Sequence, residues 1–241
     1  MKSFEHYAAL LDCCREDEWC RTVFRLGNDL GYKHLLFAVV PNRQTPLEQA
    51  FIRSNYPDQW RDIYDTKKLV YIDPTVKHCM TRSTPLIWEP SIFTTRQQMN
   101  MYEEACRFGL RSGITLPYHG ACSEVGMLCF VSDRSGSMVQ GRELGELPEL
   151  SLMRDFAFES ALRFVNPELH AAQMPPLTPR EMECLKWCAE GKSSWDIAHI
   201  LHCSEAVVNF HFGNVRRKFN TTSRRQAVVK AIRLGMIFPP V

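Results

Sequence analysis

One face of a predicted helix near the C-terminus, residues 204–219, carries side chains that can contact the edges of base pairs. These are Asn209, Phe210, Gly213 and Arg217. The amide of Asn209 can donate to a phosphate or pair with two atoms of adenine, and Phe210 can contact a thymine methyl group. Side chains suited to contacting phosphate or to capping the helix surround this face: Ser204, Arg216, Lys218, Arg224 and Arg225. The set predicts recognition of double-stranded DNA.

The opposite side of the same helix is apolar. Its apolar residues recur at helical spacing and would pack on other helices: Val208, Phe212, Val215 and Phe219. Ser204 is a good N-cap, because its hydroxyl can accept from an early backbone N–H. A shorter helix, 194–201, precedes it across a tight connection. Such a pair is typical of a helix-turn-helix, although the longer segment taken alone also fits an ordinary core helix with a solvated basic face.

The charge distribution is uneven along the chain. Residues 175–241 contain ten Lys or Arg and five Asp or Glu, a net charge of +5, whereas residues 1–174 have a net charge of −3. The whole-chain value of +2 therefore conceals a basic C-terminal part. A basic domain binds nucleic acid by neutralising phosphates and releasing their condensed counterions.

Composition predicts a folded protein of one large or two modest domains. The chain has 241 residues, of which 45% are hydrophobic and 23% charged. No stretch reaches the ~20 apolar residues of a membrane helix, and the N-terminus has no apolar signal-peptide core. The ten cysteines are dispersed without disulfide or zinc-site spacing. We expect a cytoplasmic protein with reduced cysteines, no metal, no cofactor and no membrane partner.

The N-terminal part predicts an α+β domain, residues 1–165, arranged as an α/β/α sandwich with an antiparallel sheet. The predicted helices span 3–14, 16–30, 57–65, 73–82, 96–108 and 147–165. The predicted strands span 34–40, 48–54, 84–88, 114–119 and 125–132. Prolines mark a linker at 166–176. Four helices at 179–190, 194–201, 205–219 and 223–234 then predict a small all-α helix-turn-helix domain, residues 177–241.

The C-terminal motifs resemble those of one family. They are Thr178-Pro-Arg-Glu181, Asp196-Ile-Ala and His211-x2-Asn-Val215. With these motifs, the domain resembles the helix-turn-helix of LuxR-type transcription factors. Leu185 and Gly191 also lie at positions where that family has signature residues. Asn209 departs from that family, in which many members have Lys or Arg.

The N-terminal motifs resemble the autoinducer-binding domain of acyl-homoserine-lactone receptors. The motifs are Tyr56-Pro-x2-Trp60-x3-Tyr64, Asp73-Pro-x-Val76, Pro85-x2-Trp88 and Gly109-Leu-x2-Gly113. The resemblance implies that Asp73 accepts from the ligand amide N–H, that Trp60 donates to the lactone carbonyl and that Tyr56 donates to the amide carbonyl. Tyr64 and Trp88 would enclose the head group.

Further contacts follow from the same resemblance. Thr75, Thr115 and Cys129 are candidates around the amide, although the thiol of Cys129 is a weaker donor than the hydroxyl that many relatives have. Arg61 would reach a 3-oxo group or else lie on the solvated surface. Eight apolar residues would line the acyl tail, although plain packing in the protein core explains them equally well. They are Leu36, Val40, Ile52, Val76, Phe93, Ala105, Leu110 and Met127.

The resemblance predicts a ligand-responsive regulator. It would bind an N-acyl-homoserine lactone, dimerise through the long helix 147–165, bind a two-fold symmetric promoter site and engage RNA polymerase. Three alternatives stay open: a receptor for a plant-derived or other non-lactone compound, a binding module without ligand, and an enzyme acting on lactones. The sequence has no nucleophile elbow and no paired metal motif, so we assign no catalytic residue.

Overall fold

The computed structural model describes residues 4–121, 123–133, 137–165 and 176–238. The chain forms two compact units, residues 1–167 and 168–241. Most of the predicted linker, residues 166–175, lies outside the described residues. Every cysteine that the structure describes is free. None of the helices in the described part of the chain has the length and apolarity that crossing a bilayer requires.

The first unit is built on an antiparallel sheet of five strands, as predicted. The strands are β1 (His34–Val40), β2 (Phe51–Ser54), β3 (Leu86–Ile87), β4 (Ser112–His119) and β5 (Val125–Ser132), in the order β2-β1-β5-β4-β3. The predicted strand 48–54 is shorter than expected. Its first residues form a 3-10 turn, Leu47–Gln49, because Pro46 fixes the backbone ahead of it and Ala50 is the first extended residue.

Three helices cover one face of the sheet: α1 (Phe4–Asp12), α2 (Glu16–Asp29) and α6 (Ser137–Val165). Their core packs on Phe37 of β1, and the buried Trp19 donates through Nε1 to Ser160 Oγ at 2.8 Å. Helix α6 is longer than the predicted 147–165. The predicted start at 147 is therefore wrong, because the helix begins at Ser137 and runs through Pro148.

Three further helices cover the other face: α3 (Asp58–Thr66), α4 (Pro74–Thr81) and α5 (Arg96–Arg107). Local signals fix where two of them begin. Asp73 caps α4 by accepting from the Thr75 backbone N–H, and Thr95 forms a capping box with Gln98 at the start of α5. The predicted three-layer α/β/α arrangement is confirmed. The layer between the sheet and these three helices contains the cavity described below.

Within residues 176–238, the described part of the second unit, there are four helices: α7 (Pro179–Ala189), α8 (Ser194–Ile200), α9 (Glu205–Phe219) and α10 (Arg224–Arg233). Helices α7, α8 and α10 each begin with a capping box, and Ser204 caps α9 as predicted. The apolar stripe of α9 is fully buried in the core of this unit. Helices α8 and α9 form the predicted helix-turn-helix.

Candidate functional site

A largely apolar cavity lies between the sheet and helices α3, α4 and α5. Its empty space, including open solvent at the mouth, is about 970 Å³. Sixteen of the seventeen predicted ligand-binding residues line it: Leu36, Val40, Ile52, Tyr56, Trp60, Arg61, Tyr64, Asp73, Thr75, Val76, Trp88, Phe93, Ala105, Leu110, Met127 and Cys129.

The carboxylate of Asp73 anchors the polar end of the cavity. Oδ1 accepts from the Thr75 backbone N–H at 2.8 Å and from Thr75 Oγ1 at 2.7 Å, and Oδ2 accepts from the Tyr64 hydroxyl at 2.9 Å. Burial raises the pKa of Asp73 above its ordinary value even though these donors lower it. The backbone N–H of Val76 also lowers this pKa. Asp73 lines the cavity, and its carboxylate is the anionic acceptor that the cavity offers to a ligand N–H.

Two further donor residues line the cavity, Tyr56 and Trp60. The hydroxyl of Tyr56 is buried and has no hydrogen-bond partner of normal geometry among the described residues, with the Cys129 thiol as a polar neighbour. The Trp60 indole lies against the rings of Tyr64 and Phe108. The spacing of α3 puts Trp60 and Tyr64 one helical turn apart, on the face toward the cavity.

Thr115 is the predicted ligand residue that does not line the cavity. It is fully buried on β4, where its Oγ1 accepts from Trp88 Nε1 at 2.8 Å and lies 3.3 Å from the Cys129 sulfur. The indole N–H of Trp88 is therefore engaged by the sheet, and Trp88 presents its ring to the cavity. Burial also raises the pKa of Cys129 to about 12, which keeps this thiol neutral.

Arg61 lies at the edge of the cavity. Its side chain is 18% exposed, it donates to both carboxylate oxygens of Asp65, and its guanidinium lies 5.2 Å from the centre of the Tyr64 ring. The sequence left two possibilities for Arg61, a ligand contact or a solvated surface position. The structure agrees in part with each possibility: Arg61 lines the cavity wall, but its guanidinium is paired with the exposed carboxylate of Asp65.

Sequence reasoning missed several lining residues. They are Ala38, Val39, Leu47, Ala50, Val70, Cys79, Met80, Met101, Tyr102, Val125 and Gly126. Tyr102 is the polar member of this group: its hydroxyl donates to the Arg111 carbonyl at 2.8 Å and its ring stacks on Phe93. Helical periodicity along α5, which places Met101 and Tyr102 on faces adjoining the predicted Ala105, is the signal that would have found these two.

The second unit presents the predicted base-reading face of α9. Phe210 is 64% exposed, Asn209 is exposed, and a side chain at Gly213 would meet no other atom within 4 Å. Arg217 is also exposed and donates to Asn214 Oδ1 at 2.6 Å. Arg216 and Arg225 are exposed around this face. The structure adds Val207, an exposed apolar residue on the same helix that the sequence prediction omitted.

Two predicted phosphate-binding cations are engaged within the protein instead. Lys218 Nζ lies 2.7 Å from Glu181 Oε2 and donates to the Pro176 carbonyl at 2.8 Å. Arg224 donates to the Cys188 sulfur, to Ser194 Oγ and to the carbonyl of Lys192. The sequence did not predict these internal contacts, because they join residues about 30 or more positions apart.

Comparison with known proteins supports both parts of the site. Residues 15–161 match the model of the autoinducer binding domain, and residues 175–231 match the model of bacterial regulatory proteins of the luxR family. The chain belongs to the LuxR family. Members similar to it include the transcriptional activator proteins VanR of Vibrio anguillarum (33% identity; 89% of this chain and 88% of VanR) and AhyR of Aeromonas hydrophila (31%; 99% and 92%).

Solved structures share the fold of this LuxR-family chain. Escherichia coli SdiA in complex with octanoyl-rac-glycerol superimposes with a TM-score of 0.69 at 25% identity, covering 98% of both chains. CepR2 from Burkholderia cenocepacia superimposes with a TM-score of 0.53 at 19% identity, covering 69% of this chain and 94% of CepR2. An autoinducer-binding domain followed by a DNA-binding helix-turn-helix makes this LuxR-family protein a ligand-responsive regulator of transcription.

Proposed function

We propose that the cavity binds an N-acyl-homoserine lactone. The observation that supports this proposal is that the carboxylate of Asp73 lines the same cavity as the unpartnered hydroxyl of Tyr56 and the indole of Trp60. An acyl-homoserine lactone supplies one N–H donor, two carbonyl acceptors and an apolar tail. A buried donor or acceptor left unpaired costs roughly 1–3 kcal/mol, so this ligand satisfies the hydroxyl of Tyr56, which is otherwise unpaired among the described residues.

The roles proposed for these three residues are those implied by the family resemblance. Asp73 accepts from the amide N–H, Tyr56 donates to the amide carbonyl and Trp60 donates to the lactone carbonyl. The acyl chain then lies along the apolar wall formed by strands β1, β2 and β5. A structural relative, CepR2, is described as dependent on N-acyl-homoserine lactone, which is consistent with this class of ligand.

We propose that the ligand-bound protein acts as a homodimer on a two-fold symmetric promoter site. Two copies of α9 related by a two-fold axis match two half-sites on one duplex. Helix α6 is the proposed dimer contact, supported by the exposed Phe4, which packs edge-on against the half-buried Phe156 of α6 at 4.9 Å. The names of its relatives favour activation. We further propose that the protein acts through RNA polymerase, in the cytoplasm and without enzymatic activity.

The deciding experiment compares ligands that differ in one hydrogen-bonding group. A reporter strain carrying the full chain is exposed to straight-chain acyl-homoserine lactones and to matched ester analogues, in which oxygen replaces the amide N–H. We expect the amides to activate at concentrations roughly 10- to 100-fold lower, the value of a hydrogen bond to a carboxylate. Equal responses to amide and ester would refute the Asp73 contact. Lactone turnover, followed in parallel, tests the enzymatic alternative.

A second candidate ligand is an acylglycerol. One solved structure of SdiA holds octanoyl-rac-glycerol, whose hydroxyl groups can donate to a carboxylate as an amide N–H does. The same reporter strain therefore receives octanoylglycerol and octanoyl-homoserine lactone side by side. Activation by octanoylglycerol alone would replace the lactone proposal with this non-lactone alternative.

A further inference from the structure

Arg224 lies at the centre of a small polar network between helices α7, α8 and α10. Its Nε donates to the Cys188 sulfur at 2.9 Å, one terminal nitrogen donates to Ser194 Oγ at 2.9 Å, and the other donates to the Lys192 carbonyl at 3.0 Å. The guanidinium also lies 4.0 Å from the centre of the Phe212 ring. All three nitrogens are engaged and one flat face is covered, so Arg224 is held in a single position.

The network continues to the base-reading face of α9. Ser194 Oγ donates to Asn209 Oδ1 at 2.9 Å. A guanidinium can only donate, so the Ser194 oxygen accepts from Arg224 and its proton is left for Asn209. The positive charge of Arg224 favours this orientation, because it attracts the oxygen end of the hydroxyl dipole and turns the hydrogen outward.

We propose that this network fixes the orientation of the Asn209 amide and makes its NH₂ group the end that meets a DNA base, which rests on the proposed binding of a promoter site. Ser194 occupies one of the two lone pairs of Oδ1 and holds the oxygen end of the amide toward α8, so the NH₂ group is the end that is turned to a base. Guanine presents two acceptors in the major groove and thymine presents one, whereas two-atom pairing with adenine requires the amide oxygen to accept from N6. Asn209 therefore selects guanine or thymine and disfavours adenine.

In this proposal Arg224 and Ser194 are positioning residues. Arg225, the next residue, provides the contrast because it is exposed and remains suited to a phosphate. A phosphate contact contributes to affinity and to its salt dependence without specifying sequence. Replacing Arg224 should therefore change base preference, whereas replacing Arg225 should change affinity and its salt dependence.

The test selects binding sites from a library of randomised DNA duplexes, using the full chain produced with a mixture of straight-chain acyl-homoserine lactones. We expect the wild-type protein to require guanine or thymine at one position of each half-site. Asn209→Ala should weaken the preference at that position alone, by roughly 3- to 10-fold, the value of one hydrogen bond. Ser194→Ala and Arg224→Lys should admit adenine there.

Matched variants separate positioning from structural damage. Ser194→Thr keeps the hydroxyl and should keep the wild-type preference, and Arg225→Lys should leave base preference unchanged. Thermal unfolding of each variant identifies any loss of folding, which would lower binding to all sequences equally and could not admit adenine at one position.

Three results would overturn the proposal. They are a wild-type preference for adenine at the position that Asn209→Ala relaxes, an unchanged preference in Ser194→Ala, and identical behaviour of Arg224→Lys and Arg225→Lys. If the wild-type protein selects a two-fold site but the variants keep its base preference, the proposal for Asn209 is refuted and the proposed promoter binding is not. A wild-type protein that selects no sequence refutes the proposed promoter binding as well.

Discussion

The Tyr64 hydroxyl donates to Asp73 Oδ2 at 2.9 Å, across the gap between α3 and the start of α4. Tyr64 and Asp73 thus hold each other in place before any ligand arrives. The pKa of Tyr64 is raised well above its ordinary value by burial and by the neighbouring carboxylate, so the phenol stays protonated and donates. The head-group end of the cavity is therefore largely preformed, and preorganisation lowers the cost of binding.

Replacing Asp73 by Asn should separate stability from ligand response. Asn keeps an oxygen for Thr75 and removes a buried charge, so the ligand-free protein should be at least as stable as the wild type. Its NH₂ group would oppose the ligand amide N–H, and the response should weaken by roughly 10- to 100-fold. Thermal unfolding without ligand and reporter dose–response curves measure the two effects. A wild-type dose–response would contradict the proposed contact.

The stability difference between Asp73→Asn and the wild-type protein should depend on pH. Because the folded-state pKa of Asp73 is raised above its ordinary value of 3.8, the destabilising effect of its charge is absent at acidic pH and grows as pH rises through the folded pKa. The amide side chain of the variant cannot ionise. The stability of Asp73→Asn relative to wild type should therefore increase as pH rises above 3.8, and a pH-independent difference would exclude this cause.

Removing the hydroxyl of Tyr56 should cost ligand affinity without costing stability. This oxygen is buried without a normal partner in the described part of the chain, so Tyr56→Phe removes an unsatisfied group. We expect unchanged or higher thermal stability of the ligand-free protein and a roughly 3- to 10-fold weaker response to acyl-homoserine lactones. Tyr102→Phe is the matched control, because the Tyr102 hydroxyl already donates to a protein carbonyl. Equal effects of both variants on the response would argue against a specific role for Tyr56.

Lys218 should contribute more to the stability of the second unit than to its affinity for DNA. Its ammonium pairs with Glu181, which is 2% exposed, so Lys218→Ala leaves a buried carboxylate without its cation. We expect a loss of roughly 1–3 kcal/mol in the stability of the second unit. Hydrogen exchange in α7 and α9 measures this loss, and Lys186→Ala, on the exposed side of α7, is the control. Comparable protection in both variants would show that the ion pair contributes little.

This ion pair also has a pH signature. Burial alone would raise the pKa of Glu181, but the hydrogen bonds from Lys218 and Thr178 lower it below its ordinary value of 4.5. The stabilisation is therefore fully present above pH 4.5 and is lost as pH falls through the lower folded pKa. The stability difference between wild type and Lys218→Ala should narrow over that acidic range.

Gly213 offers a variant that gains stability and loses function. A methyl group at this position meets no atom of the protein within 4 Å, and Ala is favoured over Gly in a helix by about 1 kcal/mol. If the backbone of α9 approaches DNA closely here, the added methyl group should lower affinity for the promoter site by roughly ten-fold. Thermal unfolding and DNA titration of Gly213→Ala measure the two effects, and unchanged DNA affinity would place Gly213 outside the interface.

Much of this protein could be predicted from local patterns. The capping residues Asp73, Thr178 and Ser204 each accept from a backbone N–H two or three residues ahead, an interaction set by neighbours in sequence. The burial of the α9 stripe follows from its period, because one helical face must pack against something. Charge asymmetry and motif spacing then indicated the two functional classes, a ligand pocket and a DNA-binding domain.

Tertiary structure decided which polar groups meet. Thr115 and Trp88 are 27 residues apart, yet their hydrogen bond turns the indole N–H toward the sheet and leaves the ring facing the cavity. Lys218 and Arg224 look equivalent to Arg216 and Arg225 in the sequence, but long-range contacts hold the first two within the protein. Periodicity determines which face of an element is apolar. Only the packing of distant elements determines which donor finds which acceptor, and so which groups remain for a ligand or for DNA.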